Sequence, residues 1–171
     1  MPVADFYSIV HLGSQYLKKI DDPESSTGSV IHLDTVCWLQ LDGKFHSVLP
    51  GKYHVLWRMK LQDSYMHSSG EACIYYKATP EEGCGVQLSC KWDVKTMRKQ
   101  EKRNGTNKWF VYNTGEFIVE SMCDIHVEIH GRNDYWCGGF YWDYVQLKYV
   151  NNQSIETKKN IRLSKDSCEV M

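Results

Sequence analysis

The sequence of 171 residues lacks a long hydrophobic run. No stretch approaches the roughly 20 apolar residues that a membrane-spanning helix requires. An excess of charge is also missing, because 20 basic residues oppose 21 acidic ones and the formal net charge is −1. This balance gives no electrostatic reason to expect nucleic acid as a partner. We therefore predict that neither a membrane nor a nucleic acid is a partner of this chain.

The N-terminal residues lack a basic segment followed by a long apolar run, so a secretory signal is not expected. The count of 7 cysteines is odd, which leaves at least one thiol unpaired within the chain. Unpaired thiols without a secretory signal are typical of reducing compartments. These features predict a cytoplasmic or nuclear protein, and the length favours a single domain with a real core.

Motifs for metal ions, phosphate groups and activated nucleophiles are scarce. No Cys-x-x-Cys pair is present, and His126 and His130 lie about 13 Å apart along one predicted strand at the usual rise per residue. Cys123 and His126 are close in sequence, but a cysteine between β-forming residues is usually a small buried hydrophobe. We predict no cofactor, no bound metal and no catalytic residue, with a cupin-like metal site or an enzyme as minor alternatives.

Aromatic residues are abundant, with 6 Trp and 11 Tyr, and aromatic residues favour strands and recognition surfaces. The clearest strand is Tyr53–Leu61, in which every second residue is apolar. Asp42-Gly43 is interpreted as a turn after the strand that begins at Val36. Further strands are predicted at Ala72–Tyr76, Val86–Trp92, Trp109–Tyr112, Phe117–Glu120, Val127–Ile129 and Val145–Tyr149.

Seven or eight short strands with turn signals between them indicate an all-β protein, an antiparallel β-sandwich that is jelly-roll-like. Residues 1–35 are weakly patterned and are predicted to form a minor helix or an irregular N-terminal cover. The sandwich is assigned to residues 36–150, and residues 151–171 to a polar, flexible tail. The basic stretch 95–107 is interpreted as a solvated excursion between strands, with a contact surface for an acidic partner as the alternative.

One stretch near the end of the sandwich combines polar and aromatic residues: Asn133, Asp134, Tyr135 and Trp136 precede Gly138–Gly139. Two glycines can adopt positive φ angles and form a tight turn. Sugars offer C–H patches that stack on aromatic rings and hydroxyl groups that need polar partners. The stretch is therefore a candidate sugar site, and the alternative is that Trp136 plugs the end of the sandwich.

Three groups of segments resemble, in the same order, the phloem protein 2 family. They are Val36–Lys44 with Leu49–Tyr53, Lys108–Trp109 with Gly115–Phe117, and Val127–Ile129 with Tyr135–Gly139. The resemblance implies a jelly-roll-like sandwich that binds N-acetylglucosamine oligomers or N-glycan cores without catalysis, so a glycan or glycoprotein would be the partner. It also implies that Tyr135 and Trp136 stack on sugar while Asn133 and Asp134 form hydrogen bonds.

The sequence departs from the family pattern at three positions. His11 and Leu17 stand where two N-terminal tryptophans are expected, and Cys137 stands where lysine is common. These departures favour an alternative function, a protein-interaction module of the same fold that has lost sugar binding. Such a module would serve as the substrate-recognition part of an F-box ubiquitin ligase, with ubiquitin-ligase components as partners and the F-box supplied elsewhere.

Overall fold

A computed structural model describes residues 1–63 and 72–150, except for the side chains of residues 132–135. A short 3₁₀ helix at Val3–Asp5 precedes eight strands and one α-helix. The elements are β1 (Ser8–Ile9), β2 (Leu17–Asp21), β3 (Ser29–Val48), β4 (Gly51–Leu61), β5 (Cys73–Pro80), β6 (Leu88–Asp93), α1 (Val94–Asn104), β7 (Trp109–Val119) and β8 (Cys123–Tyr149).

All paired strands are antiparallel, and β3 and β8 are long enough to run through both halves of the molecule. In the first sheet the strand order is β2-β3-β8-β4-β7, and in the second sheet it is β1-β3-β8-β5-β6. The prediction of an all-β, antiparallel sandwich is confirmed. Because β3 and β8 belong to both sheets, the chain passes from one sheet to the other within these two strands and not through a loop.

The core lies between the two sheets and consists of alternate residues of each strand. In β4 the predicted inward face is confirmed, since Trp57, Met59 and Leu61 are fully buried. In β8 the residues Val127 and Ile129 are equally buried. The residues between them therefore point away from the core, which places the polar side chains of these strands on the outer faces of the sheets.

The predicted turns at Asp42-Gly43 and at Gly138–Gly139 are wrong, because both pairs lie inside continuous strands. The two strands predicted on either side of Gly115 are likewise one strand, β7. Turn-forming residues express a local preference, whereas a strand with a partner on each side satisfies backbone hydrogen bonds along its whole length. Hydrogen bonding to the neighbouring strands therefore outweighs the local preference of these residues for a turn.

Residues 95–107, interpreted as a solvated excursion between strands, do lie between β6 and β7, but they contain a helix that was not predicted, since α1 begins at Val94 and ends at Asn104. The Asp93 side chain accepts a hydrogen bond from the Thr96 backbone N–H at 2.8 Å, an N-cap that satisfies one of the free amides of the first turn. The buried residues of the helix are spaced three apart: Val94, Met97 and Gln100. Its basic side chains are exposed: Lys95, Arg98, Lys99, Lys102 and Arg103.

The N-terminal part contains β1 and β2 rather than an α-helix, and both strands pair with β3. The predicted tail at residues 151–171 lies outside the described residues. Within the described ranges, no helix is both long and apolar enough to cross a membrane.

Candidate functional site

A wide bulge in β8 interrupts the ladder between β3 and β8. Trp38 pairs with Arg132 and Val36 pairs with Cys137, so β3 advances by two residues while β8 advances by five. The four residues 133–136 of β8 therefore stand opposite the single residue Cys37 of β3, an excess of three residues on the β8 side of the ladder. A bulge of this kind bends the strand and re-aims the side chains that it carries.

An aromatic pocket of about 140 Å³ lies where this bulge meets β3 and the N-terminal segment. We call it the aromatic pocket, and its lining residues are His11, Tyr16, Val36, Cys37, Trp38 and Trp136. Four of these six side chains are aromatic rings. The pocket therefore offers flat apolar surfaces at a place where three separate parts of the chain converge.

The two tryptophans of the aromatic pocket are half exposed, with Trp38 and Trp136 each at 50 %. The Tyr16 and Trp136 rings have centroids 6.0 Å apart at a tilt of 49°, and the His11 and Trp38 rings meet edge to face at 6.1 Å. Contacts of this geometry are favourable between aromatic rings and restrict their rotation. Each tryptophan is thus held by a neighbouring ring while much of its surface stays in contact with solvent.

The N-terminal side of the pocket is a short, hydrogen-bonded turn. The Ser14 hydroxyl accepts from the backbone N–H groups of Tyr16 and Leu17, at 3.2 and 3.3 Å. His11 adopts a positive φ of 68°, and Leu17 is fully buried in the core. The buried Leu17 anchors the turn, and the turn places His11 and Tyr16 at the pocket.

Cys137 and Gly138 determine how closely β8 approaches β3 at the end of the bulge. Cys137 is 3 % exposed, and burial raises the pKa of its thiol to about 12. It is therefore a neutral, buried side chain and not a polar contact for a ligand. A Cβ atom at Gly138 would overlap the carbonyl oxygen of Asp34, so the close passage of the two strands requires glycine.

Of the predicted site residues, Trp136 is placed in the aromatic pocket and is not part of the buried core. The side chains of Asn133, Asp134 and Tyr135 lie outside the described residues, although their backbone belongs to β8. They remain predictions.

Sequence reasoning missed Trp38 and Tyr16 as lining residues of the pocket. The signal for Trp38 was a large aromatic residue on the polar side of an alternating strand. Of the two positions where the family pattern expects tryptophan, His11 lines the pocket and Leu17 belongs to the core.

A group of polar side chains with possible metal-ligand atoms lies on the outer face of the second sheet. Atoms of Asp42, His126 and Glu128 that could bind a metal ion lie within 4.8 Å of one another. The Tyr7 hydroxyl, however, is 2.7 Å from His126 Nε2, and Lys77 Nζ is 3.5 Å from Glu128 Oε1. Tyr7 and Lys77 therefore already contact two of the three possible ligands, and the Lys77 ammonium offsets part of the negative charge of the two carboxylates.

The folds most similar to this architecture include carbohydrate-binding β-sandwich modules. The C-terminal CBM6 module of LamC, a laminarinase from Zobellia galactanivorans, matches with a TM-score of 0.53 and 10 % identity, over 86 % of this chain and 96 % of the module. The CBM6cm-2 module of Cellvibrio mixtus lichenase 5A, solved with cellotriose, matches with a TM-score of 0.52 and 9 % identity, over 88 % of this chain and 96 % of the module. The fold is therefore that of the β-sandwich carbohydrate-binding modules.

The sequence matches the profile of the family described as Phloem protein 2 over residues 5–148. The chain belongs to the phloem protein 2 family. This confirms the resemblance inferred from the sequence segments. A comparison with curated protein sequences gives no match.

Proposed function

We propose that the protein is a non-enzymatic lectin of the cytoplasm or nucleus that binds N-acetylglucosamine oligomers or N-glycan cores. The ligand occupies the aromatic pocket, where Trp38 and Trp136 stack on the apolar faces of the sugar rings. Tyr135 adds a further ring, and Asn133 and Asp134 supply hydrogen bonds from the bulge of β8.

The observation that carries this proposal is the pair of half-exposed tryptophans in one pocket. A large aromatic ring gains free energy when it leaves water, so two such rings left exposed and held by neighbours suit a ligand with apolar faces. Sugar rings have such faces, and their hydroxyl groups require polar partners around them. The shared fold of modules such as the one solved with cellotriose supports the same class of ligand.

A binding role without catalysis is supported by the state of the thiols near the sheets. Burial raises the pKa of Cys90, Cys123 and Cys137, and a nucleophilic cysteine needs the opposite shift. None of these three side chains is therefore prepared for covalent chemistry.

A titration of labelled protein with N,N′,N″-triacetylchitotriose tests the proposal, with the indole N–H signals observed by NMR. We expect the Trp38 and Trp136 signals to shift and saturate while those of the buried Trp57, Trp92 and Trp142 stay in place, which provides an internal control. Trp136→Ala should abolish the response and leave the fold intact. Silence of all indole signals at millimolar sugar would refute chitin-type specificity, and a glycan array would then test N-glycan cores.

A second candidate is a protein-interaction module, for instance the substrate-recognition part of a ubiquitin ligase. The observation that favours it is the exposed basic face of α1, where Lys95, Lys99 and Lys102 are accessible to an acidic partner. Replacing these three lysines with glutamate should abolish binding to ubiquitin-ligase components without changing sugar binding. Partner binding that survives excess chitotriose but not the lysine replacements would favour this candidate.

A further inference from the structure

One end of the sandwich carries a large share of the exposed apolar side chains. We call it the apolar end, and its members, each more than half exposed, are Leu49, Val86, Ile118, Met122 and Tyr149. They make up five of the ten large hydrophobic side chains that the described part of the chain leaves exposed. Single exposed apolar residues are normal on a protein surface, whereas a group of them in one place indicates an interaction surface.

Strand pairing brings the members of the apolar end together. Three of them lie in the connections between β3 and β4, between β5 and β6, and between β7 and β8, and the other two lie near the last residues of β7 and β8. Those last residues both pair with the first residues of β4. Val119 of β7 also forms a bridge with Gly85, which joins the connection between β5 and β6 to the same end. From Trp38 to Val48 the strand β3 extends by about 30 Å, so the apolar end is remote from the aromatic pocket.

A groove of about 270 Å³ opens at the apolar end beside β7, and we call it the β7 groove. Val86 and Leu88 line it from the chain that leads into β6, and Ile118 lines it from β7. The two sides are held close together, because a Cβ atom at Gly85 would overlap the carbonyl oxygen of Ile118. The β7 groove is therefore shaped by the backbone and offers apolar contacts to a ligand.

The charged residues that line the β7 groove are acidic. They are Glu116 and Glu120, and no basic residue among the described ones lines it. Glu116 forms an ion pair with Lys52 and lies 3.4 Å from His54 Nε2, whereas the exposed Glu120 forms no ion pair within the described ranges. Because alternate residues of a strand share a face, both carboxylates lie on the same outward face of β7 as Ile118. This face attracts a cationic group and repels an anionic one.

The strand beside the β7 groove is the edge of its sheet. β7 pairs with β4 on one side, and on its other side Val119 forms a bridge with Gly85. Within the described ranges, the residues from Trp109 to Ile118 pair with no strand on that outer side. The free N–H and C=O groups of such an edge can pair with an extended peptide, whose alternate side chains then enter pockets beside the strand.

We propose that the apolar end is a docking surface for an extended segment of another protein in which apolar side chains alternate with lysine or arginine. The segment adds to the outer edge of β7. Its apolar side chains contact Val86 and Leu88 in the β7 groove, and its cationic side chains lie on the face that carries Glu116 and Glu120. This inference is independent of the proposed sugar site, and the surface differs in charge from the basic face of α1.

NMR titrations of the labelled full chain test the proposal with two capped synthetic peptides. In one peptide lysine alternates with valine, and in the other glutamate alternates with valine. We expect the amide signals of Val86, Ile118 and Glu120 to shift and saturate with the lysine peptide and to stay in place with the glutamate peptide. Because the apolar end is remote from the aromatic pocket, added chitotriose should leave the binding of the lysine peptide unchanged.

Two variants, each with a matched control, locate the site. Glu120→Lys should weaken binding of the lysine peptide about tenfold, because an attraction between opposite charges becomes a repulsion. Its control is Glu24→Lys, which reverses an exposed charge in the connection between β2 and β3. Val86→Lys removes an apolar contact at a side chain that is 77 % exposed and should also weaken binding about tenfold, whereas Leu12→Lys, its exposed apolar control, should not. Amide spectra establish that each variant is folded.

The proposal is overturned if the wild type binds neither peptide at millimolar concentration, if it binds both equally, or if Glu120→Lys binds the lysine peptide as the wild type does. Two further results would assign the surface to a different occupant and would overturn the proposal as well. A dimer in sedimentation that Val86→Lys dissociates would identify a second copy of the chain. Binding of the lysine peptide only after Ile161 and Leu163 are replaced by aspartate would identify the chain's own basic segment Lys158–Leu163.

Discussion

Aromatic rings gather on the outer side of the sandwich in two regions that differ in what covers them. We call the first region the covered cluster, which consists of Arg58, Lys60, Trp109 and Tyr141. In it Lys60 Nζ lies 4.6 Å from the ring centroids of both Trp109 and Tyr141, and the Arg58 guanidinium lies 4.7 Å from that of Trp109. In the aromatic pocket the tryptophans instead remain 50 % exposed. The abundance of aromatic residues therefore does not by itself indicate binding, whereas uncovered ring surface does.

The covered cluster is closed by the segment between β2 and β3. Asp143 is fully buried and accepts hydrogen bonds from the Ser25 and Thr27 hydroxyls, both at 2.7 Å, and from the Ser26 backbone N–H at 2.8 Å. It also forms an ion pair with Arg58. One carboxylate thus ties a surface loop to the cation that covers Trp109, and the aromatic pocket has no such tie among the described residues.

The largest loss of stability is expected from Asp143→Ala, which disrupts the covered cluster. The substitution leaves Arg58 without its buried partner and releases three loop groups from their acceptor, so we expect the free energy of unfolding to fall by about 3–5 kcal/mol. Urea unfolding followed by circular dichroism measures the change. Asp5→Ala, which removes an exposed carboxylate paired with Lys19, is the control and should change stability by less than about 1 kcal/mol. Equal stability of the two variants would show that the contacts of Asp143 do not stabilise the covered cluster.

A matched pair of tryptophan substitutions gives the next largest effect. Trp109→Ala should cost about 2 kcal/mol of stability, because Arg58 and Lys60 both lose the ring that they cover, although Lys60 keeps the Tyr141 ring. Trp38→Ala should cost well under that amount, since half of its surface is already in water, yet it should weaken sugar binding. Thermal unfolding and the chitotriose titration measure the two properties on both variants. Binding lost in Trp109→Ala and kept in Trp38→Ala would reverse the assignment of the two regions.

The smallest change in stability is expected when the solution is acidified. Burial by itself would raise the pKa values of Asp22 and Asp143, but hydrogen bonds from Lys60 to Asp22 and from Thr27, Ser25, Ser26 and Arg58 to Asp143 outweigh it and lower both. A carboxyl whose pKa is lowered on folding stabilises the protein above its unfolded pKa, and this contribution is lost as pH falls through the folded pKa.

Stability should therefore decline as the solution is acidified below about pH 4, where carboxyl groups of unfolded chains begin to take up protons. Urea midpoints measured at several acidic pH values give the slope. In Asp143→Asn the decline should be shallower than in the wild type, because one of the two groups no longer titrates. If the slope of the urea midpoint against pH is the same in Asp143→Asn as in the wild type, protonation of the covered cluster does not cause the loss of stability in acid.

The strands were predictable wherever one face of a strand is buried and the other is not. The alternation of Tyr53–Leu61 predicted β4 to within two residues, because burial of one face of a strand produces apolar residues at every second position. The continuity of β3 and β8 was not predictable, since it depends on partners distant in the chain. The helix α1 was missed because its buried face consists of Val94, Met97 and Gln100, which is too weak an apolar pattern to stand out among basic residues.

The candidate site was predictable in part. Trp136 was identified from its local sequence, and the aromatic pocket contains it. Its neighbours Trp38 and Tyr16 are separated from it by about a hundred residues or more. The register of β3 with β8 brings Trp38 to it, and the pairing of β2 with β3 brings Tyr16. Hydrophobic periodicity assigns a residue to a face of a strand, but it does not say which residue of another strand lies opposite.

The bulge of β8 has a consequence for how such a protein can change its ligand. The ladder is intact at Trp38 with Arg132 and again at Val36 with Cys137, so the four residues 133–136 are exempt from cross-strand pairing. We therefore expect substitutions and changes of length at these positions to leave the pairing of β3 with β8 on either side in place. Under the proposed function, a library randomised at these four positions is expected to sample new ligand specificities while the strand pairing on either side is kept.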